Sequence, residues 1–161
     1  MAILSNYSRT PTCEVEINIT LVNEESVRFR IDFRFGLSFS TIHTELLCLK
    51  RDFMKLLVDL KQLEPTHLSM LEPHDPGLCI YHIPHFGQYF VPGYGIFQIS
   101  EDAREEEETR YKLLFVLDAY ELNKYGSTEC GPALCLVVTM DQIHKFANSL
   151  HAEVMDFKGA E

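Results

Sequence analysis

Two neighbouring stretches decide the fold, CEVEINITL at residues 13–21 and VRFRIDFRF at residues 27–35. In both stretches apolar residues occupy the odd positions, and polar or charged residues occupy the even positions. Strict alternation is typical of β-strands that bury one face and expose the other. Because only five residues separate the two stretches, we predict an antiparallel hairpin.

The charged residues favour one register of this hairpin. Two residues that lie directly opposite each other on one face are both odd or both even, so their residue numbers add up to an even value. Two registers are compared, one in which this value is 48 and one in which it is 50. The first places Glu16 opposite Asp32, which repel, whereas the second places Glu16 opposite Arg34. Since opposite charges stabilise a cross-strand pair and like charges destabilise it, we predict the second register.

Two amphipathic helices are predicted outside the hairpin. Apolar residues at three- and four-residue steps indicate a first helix over Thr41–Leu63, with Ser40 or Thr41 as its N-cap. Thr139 and Gln142 match a capping box, so a second helix is expected over Met140–Met155. Short apolar segments broken by turn residues predict six further strands, near residues 67–71, 78–83, 89–91, 95–99, 111–118 and 133–138.

These elements predict an α+β fold, in which two helices pack on a mainly antiparallel sheet in two layers. The length of 161 residues favours one domain spanning the whole chain. Residues 1–11 are expected to form a loose N-terminal arm, and residues 101–110 an acidic loop.

Composition narrows the function classes. The 24 acidic and 14 basic side chains give a formal net charge of −10, which argues against nucleic-acid binding. No apolar run approaches the roughly 18 residues of a membrane span, and the N-terminus does not resemble a secretory signal. Five irregularly spaced cysteines fit free thiols in a reducing compartment. We therefore expect a cytoplasmic protein that does not associate with membranes.

The most concentrated charge lies in one short segment. Six carboxylates accompany Arg104 there: Glu101, Asp102, Glu105, Glu106, Glu107 and Glu108. Such a run is often only a solvated loop that keeps a protein soluble. It is also able to attract a basic partner, raising the association rate by about 10–1000-fold at low salt. Tyr89 and Phe97 lie on the strands just before it and are expected to add aromatic anchors. We predict that these eight residues bind the partner.

Two weaker patterns suggest an enzyme, one with a nucleophilic serine and one with a bound metal. The stretch GLSFS at residues 36–40 resembles the Gly-x-Ser-x-Gly elbow of hydrolases, and Asp118 and His144 follow in the chain order of a triad. Ser40 replaces the closing glycine of that motif, so Ser38 is more simply a loop residue.

Cys79, His82 and His85 are metal-ligand types, but positions three apart point to opposite faces of a strand. We predict no catalytic residue, no metal and no cofactor. The alternatives are a small hydrolase-like or metal-dependent enzyme, and a structural or regulatory subunit that assembles with itself through a sheet edge or the Phe-rich hairpin. The oligomeric state stays open.

The layout resembles that of bacterial immunity proteins, in particular the family paired with wall-associated and related polymorphic toxins. The resemblance lies in the order of a hairpin with Val27–Asp32, a helix around Leu46–Leu60, short strands, the segment Leu113–Asp118, and a terminal helix through Phe146 and Leu150. It implies a cytoplasmic bacterial antidote that binds a cognate protein toxin stoichiometrically. Many such toxins are basic nucleases, and a carboxylate-rich surface can occupy the groove meant for phosphates. The resemblance assigns no individual binding residue.

Overall fold

The computed structural model describes residues 1–7, 13–73, 77–84, 87–91, 95–99, 110–118 and 131–157. The helices in these ranges are α1 (Lys50–Lys61) and α2 (Met140–Asp156). The strands are β1 (Ala2–Ser5), β2 (Cys13–Val22), β3 (Ser26–Phe35), β4 (Ile42–Leu49), β5 (Ser69–Leu71), β6 (Leu78–Ile83), β7 (Gly87–Val91), β8 (Gly95–Ile99), β9 (Arg110–Leu117) and β10 (Ala133–Thr139).

The strands form two antiparallel sheets and a separate hairpin. Sheet 1 has the order β1-β2-β3-β4, sheet 2 has the order β10-β9-β6-β5, and β7 pairs with β8. The predicted α+β class with antiparallel strands is confirmed. The strands are, however, divided between two four-stranded sheets and do not form one continuous sheet.

The β2–β3 hairpin is confirmed, but its predicted register is wrong. Glu16 lies opposite Asp32, and not opposite Arg34. The like charges are tolerated because Arg34 forms an ion pair with Glu16 from a diagonal position, and Arg30 forms one with Asp32. A diagonal neighbour on the adjacent strand and a neighbour along the same strand therefore outweigh the repulsion within the direct pair.

Asn23 fixes the turn between β2 and β3. Its Oδ1 accepts hydrogen bonds from the backbone N–H groups of Glu25, at 2.9 Å, and Ser26, at 2.6 Å. A side chain that bonds to the backbone two or three residues later replaces a backbone turn contact. The register shifts by one residue between Ile19 and Leu21, so a β-bulge reconciles the strand pairing with this turn.

The first half of the predicted helix over Thr41–Leu63 is wrong. The segment before α1 forms β4, which pairs with β3, and the helix begins only at Lys50. Neither Ser40 nor Thr41 therefore caps it. The N-cap is Leu49, which makes no capping hydrogen bond through its side chain.

The burial pattern along β4 shows why this segment is a strand and not the predicted helix. Leu46 and Cys48 are buried whereas Leu47 and Leu49 are exposed, which is the period-two pattern of a strand. Gly36, with a φ of 64°, adopts the left-handed conformation in the turn that returns the chain beside β3. The leucines also fit helical spacing, and only the free edge of β3 decides between the two structures.

The N-terminal arm is ordered in part, contrary to the prediction of a loose arm over residues 1–11. Ala2 and Leu4 are buried, and Ala2 lies opposite Ile17 on β2. Four residues are too short for alternation to stand out in the sequence, and Ala is a weak strand former. Residues 8–12 of the arm lie outside the described residues.

The other predicted elements lie where expected, within one or two residues at their ends. The strand expected near residues 67–71 is shorter, because the His67 N–H donates to the Glu64 carbonyl and forms a turn there. The capping box of α2 is confirmed: Thr139 Oγ1 accepts from the Gln142 N–H at 3.3 Å, and Gln142 Oε1 accepts from the Thr139 N–H at 2.9 Å.

The core joins both sheets and both helices. The helices contact each other and pack on sheet 1, α2 against β1 and β2 and α1 against β3 and β4. The ring centroid of Phe53 on α1 lies 5.1 Å from that of Phe29. The rings of Phe33 and Phe115 meet edge-on at 6.4 Å, which connects sheet 1 to sheet 2. Neither described helix is long and apolar enough to cross a membrane.

Candidate interaction surface

Five charged side chains meet on the outer face of sheet 1, because they occupy alternate positions of the paired strands β2 and β3. We call Glu14, Glu16, Arg30, Asp32 and Arg34 the sheet 1 cluster. Arg34 contacts Glu14, with Nη1 2.9 Å from Oε1, and contacts Glu16 through Nη2. Arg30 binds Asp32 in a bidentate manner, with Nε–Oδ1 at 2.7 Å and Nη2–Oδ2 at 3.1 Å.

The sheet 1 cluster is largely neutralised from within. The hydrogen bond to Asp32 raises the pKa of Arg30, and the hydrogen bond to Glu14 raises the pKa of Arg34. The Glu16 and Asp32 side chains are nearly buried although they lie on an outer face, with 8% and 7% of their surface exposed. Most of the cluster lines a cavity of about 240 Å³. A ligand that entered this cavity would have to break existing ion pairs.

The predicted acidic segment is located by its two ends. Glu101, Asp102, Glu105, Glu106, Glu107 and Glu108 lie outside the described residues, between the end of β8 and the start of β9. Arg110, the first residue of β9, lies opposite Thr139 at the start of α2. Its guanidinium carbon is 4.4 Å from the centre of the Tyr7 ring, which is a cation–π contact. Arg110, two residues after the segment in the chain, therefore lies next to Tyr7, which follows the N-terminal strand.

The two predicted aromatic anchors are partners in one hairpin. Tyr89 on β7 and Phe97 on β8 are directly opposite each other in the backbone register. Opposite positions of an antiparallel pair share one face. The hairpin ends at Ile99, immediately before the acidic segment. The backbone thus brings these two residues together and places their hairpin next to the predicted charged surface in the chain.

A second depression of about 510 Å³ lies where the β2–β3 turn meets the start of α1. The Lys50 N–H donates to the Glu25 carbonyl at 2.7 Å and ties the turn to the helix. The lining combines both signs of charge with apolar side chains, and consists of Glu24, Glu25, Leu49, Lys50, Arg51 and Met54. Such a mixture does not select one class of ligand.

The hydrolase interpretation of GLSFS at residues 36–40 is wrong in its structural context. A nucleophile elbow joins a strand to a helix, whereas this segment joins the antiparallel strands β3 and β4. Ser38 lies exposed in that turn. His144 lies on α2, where its Nε2 bonds to the Lys61 carbonyl at 3.2 Å, and Asp118 directly follows β9.

The possible metal ligands do not converge. Cys79 and His82 both lie on β6 but occupy positions of opposite parity, so they point to opposite faces as predicted. His85 lies outside the described residues. In the described part of the chain, no three His, Cys, Asp or Glu side chains are grouped closely enough to hold a metal ion.

His82 instead belongs to the interior. It is fully buried, its Nδ1 donates to the His67 carbonyl at 2.8 Å, and its ring lies 5.4 Å from that of Tyr111. Nε2 has no hydrogen-bond partner among the described residues. Burial lowers the pKa of His82, which keeps the ring neutral.

Sequence reasoning did not identify the sheet 1 cluster, although the necessary signal was present. The even positions of both strands carry charges of opposite sign, which indicates a charged outer face. The individual ion pairs required the correct register. Comparison of the chain with protein-family models, with curated proteins and with solved structures finds no match.

Proposed function

We propose that this protein is an immunity-type inhibitor, which binds a cognate, basic toxin domain in the bacterial cytoplasm and neutralises it. The contact surface in this proposal is the acidic segment Glu101–Glu108 together with Tyr89 and Phe97. One observation carries the proposal: six carboxylates against one arginine in this segment supply half of the formal net charge of −10.

The charges of the scaffold support this assignment, because many of its carboxylates already have basic partners. Besides the sheet 1 cluster, Lys55 Nζ lies 2.5 Å from Asp59 Oδ2, and Lys145 Nζ lies 2.6 Å from Asp141 Oδ2. Paired charges of this kind contribute little to the long-range field. An uncompensated run of carboxylates produces a field that accelerates the encounter with a positively charged protein.

The position of the segment also suits a binding role. It follows a hairpin in which Tyr89 and Phe97 are partners and precedes Arg110, which is held on the Tyr7 ring. Aromatic side chains are the residues that interfaces favour as anchors.

The chemistry of the partner follows from the resemblance to immunity proteins. A toxin that cleaves nucleic acid needs a basic groove to bind phosphates. A run of carboxylates matches the charge of a phosphate backbone and competes for the same groove. The proposed inhibitor therefore acts by occupying the substrate site of the toxin, and needs no chemistry of its own.

Co-expression with the toxin domain encoded next to this chain in its genome tests the proposal. We expect the wild-type chain to restore growth to cells that produce this domain. Reversal of Glu107 and Glu108 to Lys should abolish the rescue. The matched control reverses Glu24 and Glu25, which are exposed and whose reversal changes the net charge equally. This control should rescue like the wild type.

Two results would count against the proposal. If the wild-type chain did not rescue growth although it was soluble and the toxin was active, the immunity function would be wrong. If the reversal of Glu107 and Glu108 rescued as well as the control did, the function would stand but the acidic segment would not be the contact surface.

A further inference from the structure

We propose that the free edge of β4 is a self-complementary interaction surface, which pairs with β4 of a second copy of this chain around a twofold axis. The inference goes beyond the proposed function and does not depend on it. It rests on the backbone of β4, on the order of its side chains and on the charges beside them.

The four outer edges of sheets 1 and 2 are protected to different degrees. The outer edges β1 and β5 have only four and three residues. The edge of β10 is covered at Val137, whose carbonyl accepts from the Tyr7 N–H at 2.7 Å and whose N–H donates to Asn6 Oδ1 at 2.8 Å. β4 has eight residues, and no described strand pairs with its outer side. A long open edge is a template for another strand.

The ladder with β3 shows which backbone groups of β4 point outward. The Lys50 N–H donates to the Glu25 carbonyl, so this pair is a hydrogen-bonded position of the antiparallel ladder. Such positions alternate along a strand. The even residues of β4 therefore bond to β3, and His43, Glu45 and Leu47 direct their N–H and C=O groups to the free edge.

One twofold register makes this edge complementary to itself. If Thr44 lies opposite Thr44 of the second copy, His43 faces Glu45 of the other copy, and Glu45 faces its His43. Both pairs occupy outward hydrogen-bonded positions, so they exchange backbone bonds, and the imidazole N–H of His43 can donate a hydrogen bond to the Glu45 carboxylate. A shift by one residue in each copy would bring Glu45 opposite Glu45, which repel.

Apolar residues add to the proposed contact at both ends of the paired β4 strands. In this register Leu49, 37% exposed, lies at the end of β4 that meets the turn of the other copy, and that turn carries Phe39, which is 72% exposed. Contact between them removes apolar surface from water in two symmetric places. The net charge of −10 opposes self-association, but the charges nearest to this edge are balanced, since Arg28 and Arg30 accompany Asp32 and Glu45.

A cysteine cross-link tests the register. In the proposed dimer Thr44 is a non-hydrogen-bonded pair on the twofold axis, where Cα atoms are about 4.5 Å apart and a disulfide fits. We expect mild oxidation of Thr44→Cys to give mostly dimers joined by a disulfide between the two substituted positions, identified by peptide mass spectrometry. Glu45→Cys, one position along, should give few. The native Cys48 on the same strand will not interfere, because burial raises the pKa of its thiol to about 12.

A charge reversal provides a second readout that needs no new thiol. By sedimentation equilibrium, Glu45→Lys should weaken dimerisation roughly tenfold, because both symmetric pairs lose the carboxylate that accepts from His43. Glu24→Lys changes the net charge equally and should leave the dimer unchanged or tighten it. Thermal melting of each variant establishes that the fold is retained.

The proposal is overturned if the wild-type chain is monomeric at all concentrations up to the millimolar range. It is also overturned if Thr44→Cys cross-links no better than Glu45→Cys. Equal dimer affinities of Glu45→Lys and Glu24→Lys would overturn it as well. None of these results bears on toxin inhibition, which the growth rescue tests separately.

Discussion

The sheet 1 cluster and the segment Glu101–Glu108 are both rich in carboxylates, but only the cluster contains the arginines that neutralise them. In the cluster, Arg30 and Arg34 bind three carboxylates that are held on neighbouring strands. In the segment, six carboxylates share one arginine. The difference teaches that acidic composition alone does not locate a binding surface. The paired carboxylates of the cluster stabilise the fold, and we propose that the acidic run of the segment attracts a partner.

The largest effect should follow from reversing the charges of the acidic segment. Replacing Glu105 through Glu108 with Lys should slow association with the toxin domain by about 10–1000-fold at low salt, because the attractive field becomes repulsive. The melting temperature should change by no more than about 2 °C, since surface substitutions have small effects on stability. Stopped-flow binding and calorimetry measure the two quantities. If the association rate did not change, the acidic segment would not attract the toxin domain, and its role would not differ from that of the sheet 1 cluster.

The sheet 1 cluster should show the opposite behaviour. Arg34→Ala leaves the nearly buried Glu16 without its ion-pair partner, and should reduce the free energy of unfolding by about 1–2 kcal/mol, a value discounted for the partial exposure of Arg34. The association rate should hardly change. Arg28→Ala is the matched control, since Arg28 is exposed on the same strand and takes part in none of the described ion pairs. Equal destabilisation by both variants in urea unfolding would contradict the structural role of the cluster.

A smaller loss is expected at the helix start where the acidic segment ends. Thr139→Ala removes one half of the capping box of α2 and should cost about 1 kcal/mol, or about 2–4 °C in the melting temperature. Ser149→Ala, on the exposed face of the same helix, should be close to neutral. Because the cap belongs to the scaffold, binding should be retained. A loss of binding in folded Thr139→Ala protein would show that the end of the acidic segment depends on the cap.

The smallest effect concerns the buried His82, a polar group that is neither paired with a charge nor available to a partner. Its folded pKa lies below the ordinary 6.5, so the unfolded chain binds more protons and stability falls as the pH drops below about 6.5. Between pH 7 and pH 5, His82→Asn should therefore lose less stability than the wild type. His151→Asn, at an exposed position, serves as the control. Parallel pH profiles for all three proteins would refute this assignment.

Much of the fold follows from local patterns in the sequence. The alternation over residues 13–35 predicts the central hairpin, and Thr139 with Gln142 predicts the start of α2. Both signals come from residues that lie close together in the chain. They depend little on the rest of the molecule, which is why they predict the structure correctly.

Other features require knowledge of distant neighbours. The leucines before Lys50 fit a helix and a strand equally well, and the free edge of β3 selects the strand. The like-charged pair of Glu16 and Asp32 is tolerated because of the diagonal ion pair of Arg34 with Glu16 and the ion pair of Arg30 with Asp32 along β3, which a comparison of direct pairs omits. For the candidate surface, the sequence predicts the charge of Glu101–Glu108, and the structure adds the anchor at Arg110 and the pairing of Tyr89 with Phe97.

The most direct test of the proposed inhibitor is the salt dependence of its association rate with the cognate toxin domain. If the acidic segment guides the encounter, the rate should fall at least about tenfold when salt rises from about 20 mM to about 300 mM, because the Debye length shortens severalfold. For the variant with Glu105 through Glu108 replaced by Lys, the rate should not fall with salt and should rise, because salt screens the repulsion between two positive surfaces. A wild-type rate that is equal at both salt concentrations would contradict electrostatic recognition by this segment.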